Sequence, residues 1–378
     1  MTVPGQAESP TLIFPMARPL PEGAGKLSLP SVFQSFVTGT LETETGDVPL
    51  VSSKLFWRDK RGHYLVRWNI GRDHFTVEPG LYGLGKPTAD SAVLVTANYK
   101  LSFDTLRQTM TGRSCWILVL DTKGINVWCA AGKGTFSTEE LVDRIKASRL
   151  TDIVNHNRLI VPQLGATGVA AFDVKKYSGF SVVYGPVMLQ DLPVFIDSAC
   201  IASPEMRLKK FPFRERLTLV PVEIMQAFKQ GLPFIVAFLF LAGFAGDNSF
   251  LSNLKLHGIP LALAFLTGIA SGTILCPLLL PWVPGRAFSV KGALCGLVLF
   301  IIFFGFSGLY AMDYSLLEKS SWPLITLAVS SWFGMSFTGA STYTSLNGVR
   351  KEMLRAMPIQ FFSLVCGISL WAASLWFD

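Results

Sequence analysis

Cys129 is marked for chemistry by its neighbours: it stands in Asn126-Val127-Trp128-Cys129-Ala130-Ala131-Gly132-Lys133-Gly134, between the end of an apolar run and a series of small residues. The preceding run, Cys115-Trp116-Ile117-Leu118-Val119-Leu120-Asp121, reads as a buried strand. The small side chains after Cys129 leave room for a wide, flat group to come close to the backbone and to the sulfur. An inert core cysteine needs no such clearance. A cysteine nucleophile is disfavoured, because His63, His74 and His156 lie in no Cys-His signature context. No cysteine pair has metal-site spacing, and no Gly-x-Gly-x-x-Gly or Walker sequence invites a dinucleotide or a nucleoside triphosphate.

The elements that position this cysteine follow from hydrophobic periodicity. Strands are expected at 92–96, 116–120, 159–161, 181–184 and 194–196, with helices at 103–110, 138–148 and near 169–176. Ser137-Thr138-Glu139-Glu140 has the capping-box form, so the long helix starts there and residues 129–136 form a loop or a short helical turn of their own. A hairpin is expected from His63–Ile70 to Phe75–Val77. The strand-helix alternation predicts a doubly wound, Rossmann-like, mostly parallel α/β sheet. Ligands of such sheets sit outside the carboxyl ends of the strands. The segments there are 96–98, 125–133, 163–168 and 185–189.

Over the whole chain of 378 residues, half are hydrophobic, and the mean hydropathy is +0.42. The apolar residues concentrate after about residue 224, in stretches near 224–246, 259–283, 288–312, 322–344 and 357–377, each long enough for a membrane span. The predicted organisation is a poorly ordered segment 1–50, a soluble domain 51–205, a basic linker 206–223 and an all-α membrane domain 224–378 of about five transmembrane helices. Arg207, Lys209, Lys210, Arg214, Arg216 and Lys229 before the first span, Arg286 and Lys291 after the second, and Arg350, Lys351 and Arg355 after the fourth place those links inside. The soluble domain is then cytoplasmic, in the inner membrane, with the C-terminus on the far side. Met1–Glu22 has no secretory signal, so translocation is expected to begin at the first span. Cys115, Cys129 and Cys200 fall in the reducing half and are expected to stay free. The net charge of +7 is spread without a basic stripe of interleaved aromatics, so no nucleic-acid partner is expected.

The motif 126–133 resembles the signature of the membrane-anchored corrinoid protein of microbial mercury methylation. Pro79-Gly80-Leu81-Tyr82, 93–99, Gln163-Leu164-Gly165-Ala166 and Tyr184-Gly185-Pro186-Val187 are similar to that family and, more loosely, to the corrinoid-binding domain of the corrinoid iron-sulfur protein of acetyl-CoA metabolism. Where the family commonly has Gly-Ala-Pro-Gly, this chain has Gly165-Ala166-Thr167-Gly168. The resemblance implies a cobalamin-type corrinoid, methylated on cobalt, with Cys129 as the lower axial ligand. Asn126, Val127, Trp128, Ala130, Gly132 and Lys133 would form its cap, and Thr96, Ser102 and Leu189 the looser corrin-contacting positions. It further implies a methyltransferase passing methyl to Hg(II), a two-cluster [4Fe-4S] ferredoxin as reductant, a separate methyl-donor methyltransferase, and membrane lipid around the spans. Two other readings stay open: a membrane-tethered corrinoid methyl carrier of one-carbon and acetyl-CoA metabolism, and a transporter with a cytoplasmic sensing domain.

Overall fold

A computed structural model describes residues 29–245, 248–337 and 346–377. They form two compact units, and the division is not sequential. The first comprises the described residues up to Phe56 together with Thr76–Arg207; the second comprises Trp57–Phe75 together with the described residues from Leu208 onward.

The first unit is built on a seven-stranded sheet of β1 (Val37–Thr43), β2 (Gly46–Val51), β3 (Gly80–Leu84), β4 (Val93–Ala97), β5 (Cys115–Leu120), β6 (Arg158–Val161) and β7 (Ser181–Tyr184), in the order β1-β2-β3-β5-β4-β6-β7. The block β5-β4-β6-β7 is parallel, while β3 pairs antiparallel with β5 and β1 antiparallel with β2. The sheet is therefore mixed, with four of its six pairings parallel, and β1 and most of β2 fall in the segment expected to be poorly ordered. Residues 1–28 of that segment lie outside the described residues.

Side chains alternate across the sheet as a pleat requires. Trp116, Leu118 and Leu120 enter one core with Ala130, Ala131, Leu141, Ile145 and Val174. Cys115, Ile117 and Val119 enter the other with Phe103, Leu106 and Phe195. Helices thus cover both faces: α3 (Val127–Lys133), α4 (Thr138–Ala147) and α5 (Ala171–Ser178) on one, α2 (Lys100–Thr109) and α6 (Leu192–Asp197) on the other. The chain runs from β4 to β5 on one side and then returns past β4 to β6 on the other. The switch point at β4 and β6 is compatible with a Rossmann-like domain.

Two sequence expectations fail. The apolar run 194–196 is α6, since Pro193 occupies its first turn, where a missing N–H is harmless, and Leu192 and Phe195 share the buried face three residues apart. The hairpin over 63–77 is α1 (Trp57–Arg67) followed by a turn in which Gly71 is left-handed, with φ 64°. Asp59 and Val66, seven residues apart, are buried while Trp57 and Tyr64 are exposed, a helical period rather than an alternating one.

The second unit holds α1 and the long helices α7 (Phe213–Gly243), α8 (Phe250–Leu279), α9 (Phe288–Phe306), α10 (Leu316–Ser336) and α11 (Leu346–Phe377). Four helical stretches among the described residues are long and apolar enough to cross a membrane: 213–243, 250–279, 288–306 and 348–376. The expected fourth span, 322–344, falls on α10, which does not qualify, and residues 338–344 of that prediction lie outside the described residues. α10 is the most deeply covered helix, packed against α8, α9 and α11. Its polarity has a structural use: Ser330 accepts from the Ser271 hydroxyl at 2.7 Å and donates to the Gly292 carbonyl at 2.5 Å, and Thr326 donates to the Ala264 carbonyl at 3.0 Å. Hydroxyls and small residues let helices approach where there is no water to satisfy them.

Candidate functional site

Cys129 sits in α3, a helix of its own between β5 and α4. Asn126 is extended and its Oδ1 accepts from the Cys129 backbone N–H at 2.9 Å, the N-cap arrangement. At the other end Gly134, with φ 77°, closes the helix in the left-handed conformation. Val127, Ala130 and Ala131, spaced three and four apart, pack into the core. Trp128, Gly132 and Lys133 are exposed and Cys129 is half-buried. Nothing lies within 4 Å of where a Cβ on Gly132 would stand. The helix therefore offers a thiol beside open space, on the face turned from the core.

The turn that delivers α3 is held by Asn98, the residue after β4. Its side-chain oxygen accepts from the backbone N–H groups of Thr122 at 3.1 Å and Gly124 at 3.0 Å, and its amide donates to Asp121 at 3.2 Å. The Thr122 hydroxyl lies 2.8 Å from Asn98 Oδ1 and 2.6 Å from the Ile125 carbonyl, and donates to one at a time. Burial pushes the Asp121 carboxyl up, but hydrogen bonds from the side chain and backbone of Lys123 outweigh it and hold the group below its usual range. The Asp121 backbone N–H donates to Glu140 at 2.8 Å, which joins the turn to the first turn of α4. There the expected capping contact is present, Ser137 accepting from the Glu140 N–H at 3.3 Å. Asn98 was not among the predicted site residues, although an amide side chain directly after an apolar strand was a signal for such a brace.

On its other side α3 packs against the 163–165 turn after β6. The glycines of this loop are required by contact. A Cβ on Gly165 would stand 2.5 Å from the Phe136 ring, and one on Gly168 would stand 2.0 Å from the Phe136 carbonyl oxygen and 3.1 Å from the Ala131 Cα. The Tyr184 hydroxyl, at the end of β7, donates to the Val169 carbonyl at 2.6 Å.

The predicted residues are therefore distributed as follows. Asn126 through Lys133 form one capped helix, with the Ala130 side chain turned wholly into the core. Thr96 is buried in β4, the strand α3 packs against. Ser102 is half-buried in α2, and Leu189 opens a short turn after β7 and packs on the α2 side of the sheet. Those two lie across the sheet from the face α3 covers, as does the Thr96 side chain, since Val95 and Ala97 on either side of it enter the α3 core. Among the described residues no group of three or more His, Cys, Asp or Glu side chains could hold a metal ion.

Residues 70–192 match the family model of the CO dehydrogenase/acetyl-CoA synthase delta subunit. Among curated relatives, the acetyl-CoA decarbonylase/synthase complex subunit gamma of Methanopyrus kandleri is 33% identical over 128 residues, 33% of this chain and 27% of the relative. The gamma subunit of Archaeoglobus fulgidus is 29% identical over 188 residues, 47% of this chain and 38% of the relative. That of Methanocaldococcus jannaschii is 34% identical over 115 residues, 29% and 22% of the two chains. The chain thus spans well under half the length of the curated relatives it matches.

These findings correct the expected kinship with the mercury-methylation family. The match over 70–192 is to subunits of acetyl-CoA chemistry, and it contains the whole of α3 and its supporting strands. A short motif inside a longer match of that kind does not carry a separate assignment. Methylation of Hg(II), and an enzyme dedicated to it, are accordingly set aside.

Proposed function

We propose that this chain is a membrane-tethered corrinoid methyl carrier of one-carbon metabolism. The observation that carries the reading is the coincidence of two things in residues 70–192: the match to acetyl-CoA synthase subunits, and a half-buried thiol on a capped helix at the carboxyl edge of the parallel strands. The donor set fits such a cofactor. A macrocycle supplies most of its metal's ligands, so the protein needs one soft donor and flat clearance rather than a cluster. Cys129 provides the donor, and Gly132 provides clearance.

When bound, the corrinoid supplies a cobalt centre able to accept and release a methyl group. The chain's own residues do the rest. Cys129 would hold the metal through its thiolate, a donor that adds electron density at the centre. Asn126 fixes the helix turn that bears the sulfur, and Asn98 fixes the loop that bears Asn126. Gly165 and Gly168 let the β6 loop close against Phe136 and Ala131, so that α3 cannot sink away from its ligand. Trp128 and Lys133 are the remaining candidates for contacts around the ring, and Thr96, Ser102 and Leu189, whose side chains lie across the sheet, are more distant ones.

The relatives are named as complex subunits, which supports exchange of methyl with partner proteins. Electrons for reactivation would come from a small iron-sulfur protein such as a two-cluster ferredoxin. The four apolar helices would hold the carrier at the inner face of the membrane, with the first unit on the side rich in Lys and Arg.

The test is retention of cofactor by the purified full chain. Incubated with a cobalamin-type corrinoid and passed through a desalting column, the wild type is expected to keep stoichiometric cobalt with its visible bands and to shield Cys129 from alkylation by N-ethylmaleimide. Cys129→Ala is expected to lose the shift in those bands that marks a sulfur ligand, whereas Cys200→Ala keeps it. A wild type that retains no cobalt overturns the proposal.

A further inference from the structure

Arg216, in the first turn of α7, is 3% exposed, and neither its Nε nor its Nη1 has a hydrogen-bond partner among the described residues. Its guanidinium carbon lies 5.5 Å from the centre of the Trp282 ring and 6.0 Å from that of Phe213. Such stacking satisfies the faces of the guanidinium but leaves its N–H edge unsatisfied. The adjacent carboxylate, Glu215, is already held by Lys209 at 2.5 Å. A covered cation without an anion is costly, and a planar fork of N–H donors is the geometry that fits a phosphate.

A second observation comes from α1, which packs against α7 in the same unit. Trp57, Arg61, Tyr64 and Trp68 recur at helical spacing, and all four are exposed, Trp57 at 73% and Tyr64 at 63%. Trp68 continues the helix, its N–H reaching the carbonyls of Tyr64 and Leu65. Arg58, Lys60, Arg67 and Arg72 flank the stripe, against Asp59 and Asp73 alone. The back of the helix is occupied: Asp59 and Val66 are buried, and a Cβ on Gly62 would stand 2.5 Å from the Phe75 ring. Trp and Tyr interleaved with cations are the side chains that settle in the headgroup layer of a bilayer.

We infer that the rim of the second unit at the start of α7 binds an anionic phospholipid, with Arg216 holding the phosphate between Phe213 and Trp282 and α1 lying in the same headgroup layer. The inference rests on α7 being a membrane span and not on corrinoid binding, so either can fail without the other.

The full chain, delipidated in neutral detergent, would be titrated with dioleoyl phosphatidylglycerol, dioleoyl phosphatidylcholine and inorganic phosphate, and bound species counted by native mass spectrometry. Phosphatidylglycerol is expected to be retained about fivefold or more over phosphatidylcholine, the effect of one cation on an anionic surface. Arg216→Gln is expected to abolish that preference, and inorganic phosphate not to displace the lipid. Should that variant not fold, Lys60→Gln with Arg61→Gln, both on the exposed face, is expected to weaken the preference severalfold. In vesicles of brominated phosphatidylglycerol, the wild type is expected to lose more fluorescence than a Trp57→Phe, Trp68→Phe variant. Equal retention of the two lipids, or displacement by free phosphate, overturns the lipid site. Absence of quenching at Trp57 and Trp68 overturns the placement of α1 and assigns its stripe to a protein partner.

Discussion

Two cysteines at opposite ends of one strand-loop segment have opposite fates. Cys115 begins β5 wholly inside the core, and burial pushes its thiol up to about 12. Cys129 lies on the outer side of α3, half-buried beside open space. The raised value at Cys115 has a signed consequence. Its native state holds the neutral thiol, so the contribution is fully present below the ordinary thiol value and is lost as pH rises toward about 12. Denaturant midpoints measured from pH 8 to 11 should therefore fall more steeply for the wild type than for Cys115→Ala. Asn98 carries a second residue-scale prediction. Asn98→Ala leaves the Thr122 and Gly124 N–H groups without their acceptor, at a cost of about 1–3 kcal/mol. Corrinoid retention should drop with Cys129 untouched, which equilibrium dialysis would register. The sequence pointed to Cys129 through its neighbours but not to Asn98, because the partners of that amide lie more than twenty positions away and meet only when β4 and β5 pair.

Among the elements, those with local punctuation were legible. Ser137 and Glu140 mark the start of α4, and the apolar runs of β4 to β7 fall within a residue or two of their predicted places, while the loop or short helical turn expected over 129–136 is a helix that begins at Val127. Elements without such signals were not. β1 and β2 carry glycines, polar residues and a proline in place of an apolar run, and they exist because β2 finds β3 across a long separation. α1 was read with the wrong period, and its stripe of aromatic and basic residues becomes contiguous only when the backbone is helical. The β6 loop offers an element-scale test. Gly168→Ala drives a methyl into the Phe136 carbonyl, and overpacking of this kind typically costs about 1–3 kcal/mol. Thermal unfolding of the full chain should show the loss in the first unit's transition, together with weaker shielding of Cys129.

For the whole molecule, hydropathy identified which half carries the candidate membrane spans but not which helix is central. α10 carries Glu318, Lys319 and several serines, and it is covered on most sides, whereas α7 and α11 present large apolar side chains outward. A helix that faces protein can be polar where hydroxyls meet backbone, while one that faces lipid cannot. Gly334 and Gly292 mark a close backbone approach of α9 and α10, since a Cβ on Gly334 would stand 2.7 Å from the Gly292 Cα. Gly334→Leu should separate α9 from α10 and lower the detergent-solubilised unfolding temperature by several degrees, while the first unit's visible corrinoid spectrum stays unchanged. The division of the chain is also a property of the whole. After β2, Arg107 fastens residues 52 and 54 by donating to the Ser52 and Lys54 carbonyls. The next nineteen positions, Trp57–Phe75, then join the second unit before the chain returns as β3.

By itself the sequence determined a division into a less apolar and an apolar half, the parallel strands at the heart of the sheet, and a cysteine with clearance beside it. These are properties of local pattern: period, caps and the size of adjacent side chains. Only the tertiary structure decided the antiparallel edge of the sheet, the membership of α1, the central place of α10 and the brace at Asn98. Each depends on contacts between residues far apart in the chain, which local pattern does not encode. The meaning of Cys129 lies between the two. Its neighbours gave it room, and the crossing from β4 through β5 to β6 put that room at the switch point of the sheet.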